Sequence, residues 1–211
     1  MSKQLIAIFA LLLTGSSGIA CTQPSSPVIL ILDGSATVKT TSILNPVTFD
    51  LTGDGSTGLF AWTQQDTEMG FLWIDLNDNG VVDNGRELFG DGMLVLDTNK
   101  PTQNGFEALA QYDQFNHGGN ADGKISPEDE VWHRLRVWID RNHDGKLQDD
   151  ENYTLPELGI VAINLTYTKS EHPLDGHGNL HVYRSSFVRR SKDREHDLII
   201  GAAEDVYFRA K

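Results

Sequence analysis

The segment from Asp140 to Glu151 constrains the fold of this chain more than any other, because its residues, DRNHDGKLQDDE, follow the spacing of an EF-hand calcium loop. Asp140, Asn142 and Asp144 supply side-chain oxygens at loop positions 1, 3 and 5, and Gly145 permits the sharp turn at position 6. Clustered carboxylates need a cation to offset their mutual repulsion. A solvated acidic turn is the alternative. The predicted Ca2+ ligands are Asp140, Asn142, Asp144, Lys146 through its carbonyl, Gln148 and Glu151.

A loop of the same type begins at Asp75, but it departs from the spacing at its end. Position 12 falls on Arg86, which cannot bind a cation, and the next acid is Glu87, one residue later. Asparagines replace acids at two early positions, so we expect weaker binding than in the loop at Asp140. A hydrogen-bonded Asn/Gly turn without metal is the alternative. The expected ligands are Asp75, Asn77, Asn79, Val81, Asp83 and Glu87.

A third loop fits the spacing only if it is expanded. Position 1 falls on Gly118, which has no side chain, and Asp113 lies seven residues before Asn120 instead of two. We therefore expect an expanded loop in which Asp113 folds back toward the turn. The alternative is a flexible Gly/Asn loop without metal. The expected ligands are Asp113, Asn120, Asp122, Lys124 and Asp129.

Helices are predicted to flank these loops. The segment Asn104–Glu107 is typical of a capping box that opens a short helix, and Ser126–Asp129 is a favourable start for another. The apolar residues at helical spacing after the second start are Val131, Leu135, Trp138 and Ile139. We predict an α+β fold: paired EF-hand-like helix–loop–helix units with short antiparallel β-strands before and after. The predicted strands are Val47–Phe49, Met69–Ile74, Ile160–Tyr167, Leu180–Val188, Leu198–Ile200 and Val206–Phe208.

Charge and motifs exclude several classes of function. The formal net charge is -13, and the richest basic stretch, Arg184–Arg194, is interrupted by acids and apolar residues, so we expect no nucleic-acid partner. We find no GxSxG, HExxH or phosphate-binding Gly-Lys motif, and we predict no enzyme. Three histidines, His172, His177 and His181, lie close together in the sequence and have two interpretations. They could form a zinc cluster, or they could be solvated side chains, which fits better with the polar turn that carries two of them.

The first residues are typical of an export signal. Lys3 precedes an apolar run, Leu5–Leu13, that is too short to span a bilayer, so residues 1–20 are predicted to be a signal peptide. Cys21, the only cysteine, stands where a bacterial lipoprotein carries its lipid, and membrane attachment through it is one interpretation. Cleavage by ordinary signal peptidase, with a periplasmic or secreted product, is the other. We expect a tether over residues 21–45 and one domain over residues 46–211.

Longer runs of sequence carry a family resemblance. They are PVTFDLTGDG, FLWIDLNDNGVVDNGRELFGD, NGFEALAQYD, GGNADGKISPEDEVWHRLRVWIDRNHDGKLQDDE and LPELGI, within residues 46–190. Together they resemble a family of bacterial EF-hand-like calcium-binding proteins, related to calcium-binding segments of RTX-type exoproteins. The resemblance implies Ca2+ binding outside the cytoplasm. Some relatives cleave themselves at an Asp-Pro bond, and this sequence has none.

These observations predict an exported calcium-binding protein in which Ca2+ is mainly structural or conformational. Binding to a site that is not preformed would contribute to folding directly. Two alternatives remain at this point: a hydrolase that uses paired carboxylates, and an adhesion or interaction module of the cell envelope that calcium stabilises.

Overall fold

A computed structural model describes residues 25–191 and 197–211. The predicted signal peptide and Cys21 lie outside these residues. Within the described ranges, no helix combines the length and the apolar character needed to cross a membrane.

The described residues form eleven β-strands, one α-helix and four short 3-10 helices. The strands are β1 Val28–Ile31, β2 Val47–Phe49, β3 Gly58–Phe60, β4 Met69–Ile74, β5 Lys124–Ile125, β6 Leu135–Trp138, β7 Asn152–Thr154, β8 Ile160–Asn164, β9 Thr168–Lys169, β10 Leu180–Arg190 and β11 Leu198–Tyr207. The α-helix is α1 Gly105–Ala110, and the 3-10 helices are Gln111–Asp113, Phe115–His117, Glu130–His133 and Asp149–Glu151.

Nine of the strands form one curled antiparallel sheet. Its order is β5-β8-β10-β11-β1-β4-β6-β7, and β9 pairs with a further part of β10. Strands β2 and β3 form a separate hairpin. The first strand of the domain, β1, therefore lies at the centre of the sheet, between β4 and the last strand, β11.

Strand β1 is buried on both faces, and this burial explains its uninterrupted apolar sequence. Its side chains alternate between two hydrophobic clusters: Val28 and Leu30 point into one, Ile29 and Ile31 into the other. All four residues are at most 1% exposed. An apolar run without polar alternation is what a strand covered on both faces requires.

Different groups of side chains pack against the two faces of the sheet. On one face, α1 contributes Phe106 and Leu109 to the first cluster. On the other face, Trp62 packs against Phe71, with ring centroids 4.7 Å apart, and stacks on Phe208 at 5.2 Å. Aromatic contacts of this kind add stabilisation beyond the area they bury.

The predicted start of a short helix at Asn104 is confirmed. Asn104 is the N-cap, and its side-chain oxygen accepts a hydrogen bond from the backbone N–H of Glu107 at 2.9 Å. The helix continues into a 3-10 turn that ends at Asp113.

The second predicted helix is wrong. After a single 3-10 turn, Glu130–His133, the chain extends into β6 and pairs antiparallel with β4, so that Trp138 lies opposite Phe71. The residues expected on one helical face are all buried, but Val131 lies in the 3-10 turn, Leu135 and Trp138 lie in β6, and Ile139 follows it. The segment is rich in valine, tryptophan and isoleucine, which suit a pleated surface, and pairing with β4 outweighs the local helical period.

The predicted fold class, paired EF-hand-like helix–loop–helix units, is wrong as well. The loop at Asp75 follows a strand, the loop at Asp140 lies between β6 and β7, and only the loop at Asp113 follows an α-helix. The fold is an antiparallel β-sheet with long turn-rich connections. Most of the predicted strands are present, and the two expected near residue 200 are one continuous strand, β11.

The close fit of β1 gives a test of this architecture. Gly90 forms a bridge with Pro27, and a Cβ atom at Gly90 would lie 1.6 Å from the carbonyl oxygen of Ser26. We expect G90A to lower the unfolding free energy by about 3 kcal/mol or more, because backbone must move to relieve the clash.

Chemical denaturation measures this effect. The control is G176A, because a Cβ atom at Gly176 meets no atom within 4 Å and its φ is unstrained. We expect G176A to stay within about 0.5 kcal/mol of the wild type. Equal unfolding free energies for G90A and the wild type would show that Ser26 and Pro27, which lead into β1, do not lie against Gly90.

Candidate functional site

The three loops of the sequence analysis share one backbone conformation. In each, a residue with left-handed φ stands two positions before a glycine with left-handed φ. The pairs are Asp78 at 61° and Gly80 at 79°, Ala121 at 57° and Gly123 at 84°, and His143 at 61° and Gly145 at 69°. Non-glycine residues rarely adopt this conformation, so its repetition at equivalent positions identifies one turn used three times.

In the loop at Asp140, the first carboxylate holds the turn together. Its oxygens accept hydrogen bonds from the backbone N–H groups of Asp144 at 3.1 Å and Gly145 at 2.9 Å. The indole N–H of Trp62 donates to the same carboxylate at 2.8 Å. Asp140 is only 2% exposed, and burial raises its pKa although these hydrogen bonds oppose the change. The carboxylate thus joins the loop to the aromatic core.

The other two loops repeat the arrangement. Each first carboxylate accepts from two consecutive backbone N–H groups at the turn: Asn79 and Gly80 donate to Asp75, and Asp122 and Gly123 donate to Asp113. Asp113 therefore folds back across the inserted residues, as the expanded-loop interpretation requires. Burial tends to raise the pKa of Asp75, but hydrogen bonds from its own loop lower it overall.

A second, buried carboxylate closes each loop. Glu87, Asp129 and Glu151 are at most 3% exposed. Glu151 accepts from the backbone N–H of Arg141 at 2.8 Å, and Glu87 accepts from Asp83 at the same distance. Burial raises the pKa of Glu87 and of Asp129, against the hydrogen bonds that each accepts. One acid at the start and one at the end thus satisfy loop N–H groups that have no ladder partner.

The remaining predicted ligands lie within their own loops and bond to each other near the surface. The side-chain amides of Asn77 and Asn79 donate to Asp83, that of Asn120 to Asp122 and Glu128, and that of Asn142 to Asp144 and Gln148. Lys124 forms an ion pair with Asp122, while Val81 and Lys146 donate backbone N–H groups to Asn79 and Asp144. The loops at Asp75 and Asp140 line one groove of about 370 Å3.

The structure does not support the predicted function as a calcium-binding EF-hand protein. Among residues 25–191 and 197–211, no group of three or more His, Cys, Asp or Glu side chains is placed to hold a metal ion. The loop carboxylates hold backbone N–H groups instead, and the helices of an EF-hand are missing from the described residues. The role of individual side chains as ligands, and Ca2+ as a cofactor, stay predictions, which calorimetric titration of wild type and E151Q with Ca2+ would test.

A different acidic site lies where the described chain begins. Asp91 accepts two hydrogen bonds through one oxygen, from the hydroxyl of Ser25 and from the backbone N–H of Ser26, both at 2.8 Å. Asp205 lies beside the same segment, and Tyr207 follows it on β11. Burial raises the pKa of Asp91, although both serines oppose the change.

Asp205 is the most strongly perturbed carboxyl of this site. It is 0% exposed, and burial raises its pKa to about 7, with the nearby charge of Asp91 acting in the same direction. One oxygen accepts from the backbone N–H of Gly105, and the other has no hydrogen-bond partner among the described residues. Burial and the charge of Asp205 also raise the pKa of Tyr207. A proton therefore resides on Asp205 for much of the time near neutral pH.

The site opens to solvent through a cleft of about 590 Å3. Asp91 and Tyr207 line it together with Arg86, and Leu94 and Pro101 form an apolar wall. A cleft that joins apolar walls to a few polar groups with perturbed pKa values is a candidate binding site. The sequence analysis missed this site. Its one local signal is the acidic pair before Val206 in an otherwise apolar strand.

The three histidines are not placed to form a zinc cluster, since no group of three or more metal-binding side chains converges within the described part of the chain. His172 and His177 are exposed. His181 is mostly buried and lies between two carboxylates, 2.7 Å from Glu204 and 3.4 Å from Asp175. Burial alone would lower its pKa, but these two partners outweigh burial and raise it. The solvated-histidine interpretation is thus wrong for His181.

The fold and the acidic site define an antiparallel β-sheet domain whose first strand lies at the centre of the sheet and whose two residues Ser25 and Ser26, just before that strand, bond to Asp91. The sequence matches the SPM domain family over residues 28–208, and the chain belongs to that family. The resemblance to EF-hand-like calcium-binding proteins is therefore wrong as a family assignment.

The chain is also similar to part of a longer curated protein. The iron-regulated protein FrpA of Neisseria meningitidis serogroup C is 35% identical over 189 residues, which cover 88% of this chain and 16% of the relative. The chain thus corresponds to a small part of a much longer protein.

The raised pKa of Asp205 predicts a pH-dependent stability. The native protein holds this proton more tightly than the unfolded chain, so the stabilising contribution is complete below about pH 4 and is lost as the pH rises to about 7. We expect the unfolding free energy of D205N, relative to wild type, to increase over this window by on the order of 4 kcal/mol and then level off. Urea denaturation at several pH values measures it.

The matched control is D149N, because Asp149 is exposed. We expect the difference between D149N and wild type to stay flat over the same pH range. A flat difference for D205N as well would mean that Asp205 is ionised in the native protein at neutral pH.

Proposed function

We propose that this chain is an extracytoplasmic anchoring module. Asp91, which lies beside the buried Asp205, clamps the segment through which the folded domain is joined to the envelope or to the rest of an exported polypeptide. The observation that supports this most directly is the pair of hydrogen bonds from Ser25 and Ser26 to Asp91.

Backbone hydrogen bonds hold the joining segment in addition to the bonds that Asp91 accepts. Pro27 pairs with Gly90, and its carbonyl oxygen accepts from the N–H of Val206 at 3.1 Å. The N–H of Val28 donates to the carbonyl of Phe89 at 2.7 Å. The joining segment is thus bonded on two sides before it becomes β1.

Because β1 lies at the centre of the sheet, a force applied to the joining segment acts directly on the hydrophobic core. A pull on the joining segment acts on a strand that is paired along both edges, with β11 and β4, and is buried on both faces. Extraction of such a strand breaks two ladders and exposes two hydrophobic clusters, whereas an edge strand would lose only one ladder. The fold therefore suits a domain that is held from its first strand.

Attachment to a membrane through lipidated Cys21 is the finer form of this proposal. Cys21 lies only four positions before Ser25 in the sequence, so a lipid there would hold the clamped end of the sheet close to the bilayer. A periplasmic or secreted product remains the alternative for the same clamp.

Removal of the Asp91 carboxylate tests the clamp. We expect D91A to raise the hydrogen-exchange rates of the amides of Ser26 and residues 28–31 about tenfold, because one half-buried charged acceptor is worth about 1.4 kcal/mol to local opening. The control is D97A, which removes an exposed carboxylate from the same connection, paired only with His117. Unchanged protection of these amides in D91A would contradict the clamp.

Fractionation of cells tests the membrane attachment separately. We expect the wild type to sediment with membranes and C21S to appear in the soluble extracytoplasmic fraction, because the substitution removes the only thiol that can carry a lipid. Recovery of both proteins in the soluble fraction would replace the lipoprotein with the secreted form and leave the clamp untouched.

A further inference from the structure

His181 lies at an irregular position of the sheet, where β10 changes register against β11. The register of this pair shifts between His181 and Tyr183, which marks a β-bulge. A bulge re-aims the side chains beside it. The side chain of His181 is 12% exposed and lines a cleft of about 320 Å3 together with Asp175, Arg184 and Glu204.

Both ring nitrogens of His181 face carboxylate oxygens. Nδ1 lies 2.7 Å from Glu204 on β11, and Nε2 lies 3.4 Å from Asp175 in the turn before β10. A neutral imidazole carries one N–H and one lone pair, so it donates to one carboxylate and turns the lone pair toward the other. Only the protonated ring can donate to both.

Asp175 does not take up the proton in place of the ring. Burial tends to raise the pKa of Asp175, but the hydrogen bonds that it accepts outweigh burial and hold the pKa well below its ordinary value. The donors are the hydroxyl of Thr40, the side-chain amide of Asn179 and the backbone N–H groups of His177 and Asn179. Asp175 is therefore a fixed negative charge beside His181.

Two further basic side chains line the same cleft. Arg184 on β10 pairs with Oε1 of Glu204 at 2.7 Å and leaves Oε2 to His181. The other is His172, which is exposed. Burial lowers the pKa of His181, but Glu204 and Asp175 outweigh burial and raise it above the ordinary value of about 6.5.

The same two carboxylates hold the segment that follows β1, residues 36–40, which we call the strap. The backbone N–H of Val38 donates to Glu204 at 3.0 Å, and the hydroxyl of Thr40 donates to Asp175 at 2.5 Å. Val38 and Thr40 are buried between exposed neighbours, and Val38 packs into the second of the two hydrophobic clusters. Both acceptors of the strap are thus partners of the imidazole.

We propose that His181 is a pH-sensitive latch for the strap. The protonated ring neutralises Glu204 and Asp175 together and keeps their bonds to the strap in place. When the proton leaves to solvent through the cleft, the shorter bond to the buried Glu204 is kept, and the lone pair of Nε2 faces the carboxylate of Asp175. The two repel each other, the turn that carries Asp175 moves away with Thr40, and the cleft widens.

The direction of the pH dependence follows from the folded-state partners of His181. The latch is complete below about pH 6.5, where the ring is protonated in both the folded and the unfolded chain. Its contribution is lost as the pH rises through the raised pKa of His181. The strap is therefore closed in acid and loosened in alkali.

Amide hydrogen exchange on the full mature chain, followed by NMR, tests the latch. We expect the protection factor of the Val38 amide to fall about tenfold between about pH 5.5 and about pH 9, because one charged partner of its acceptor network is lost. Its midpoint should coincide with that of the His181 imidazole signals. The amides of residues 69–74 in β4 should keep their protection, since the core does not open.

Two histidine variants assign the effect. We expect H181Q, which cannot be protonated, to abolish the pH dependence of the Val38 amide. The matched control is H172Q, because His172 lines the same cleft but is exposed, and it should leave the transition unchanged.

Three results would each overturn the proposal. They are a Val38 transition that persists in H181Q, a wild-type midpoint that differs from that of the His181 ring, and an equal loss of protection in β4. The comparison of midpoints needs the wild type alone and does not depend on the folding of H181Q. The latch is separate from the anchoring function, since Asp91 lines a different cleft.

Discussion

Buried carboxylates that accept backbone N–H groups are the interaction on which the irregular half of this structure depends. Between β4 and β8 the chain runs through long turns in which few backbone groups meet a ladder partner. An unsatisfied buried N–H costs about 1–3 kcal/mol, so these turns need internal acceptors. Asp75, Asp113 and Asp140 supply them at one end of each loop, and Glu87 and Glu151 show how a second acid closes the other end.

The sequence predicted what is local and failed on what is distant. The capping of α1 by Asn104, the glycines of the turns and the return of Asp113 follow from interactions within a few residues, and the structure contains them. The segment around Trp138 was predicted as a helix because its period fits one. Its partner, Phe71, lies in another part of the chain, and no local pattern reports that pairing.

The acidic site could not be predicted from local sequence patterns either. Ser26, Asp91 and Asp205 come from three distant parts of the sequence and meet only because β1 lies beside β11. The motif-like loops drew attention to their own acids, whereas the carboxyl of the acidic site with the most strongly raised pKa is Asp205, one of two adjacent acids in a largely apolar strand. Burial depth determines its pKa, and burial depth is a property of the completed fold.

The neighbouring positions of β1 and β11 have a consequence for how the chain folds while it is synthesised. The first strand of the domain cannot complete its ladder until the last strand has been synthesised, because Val28 pairs with Asp205. Such long-range pairing makes folding slow. The polypeptide therefore lacks its central sheet throughout synthesis, and the sheet closes only after the residues of β11 have been added.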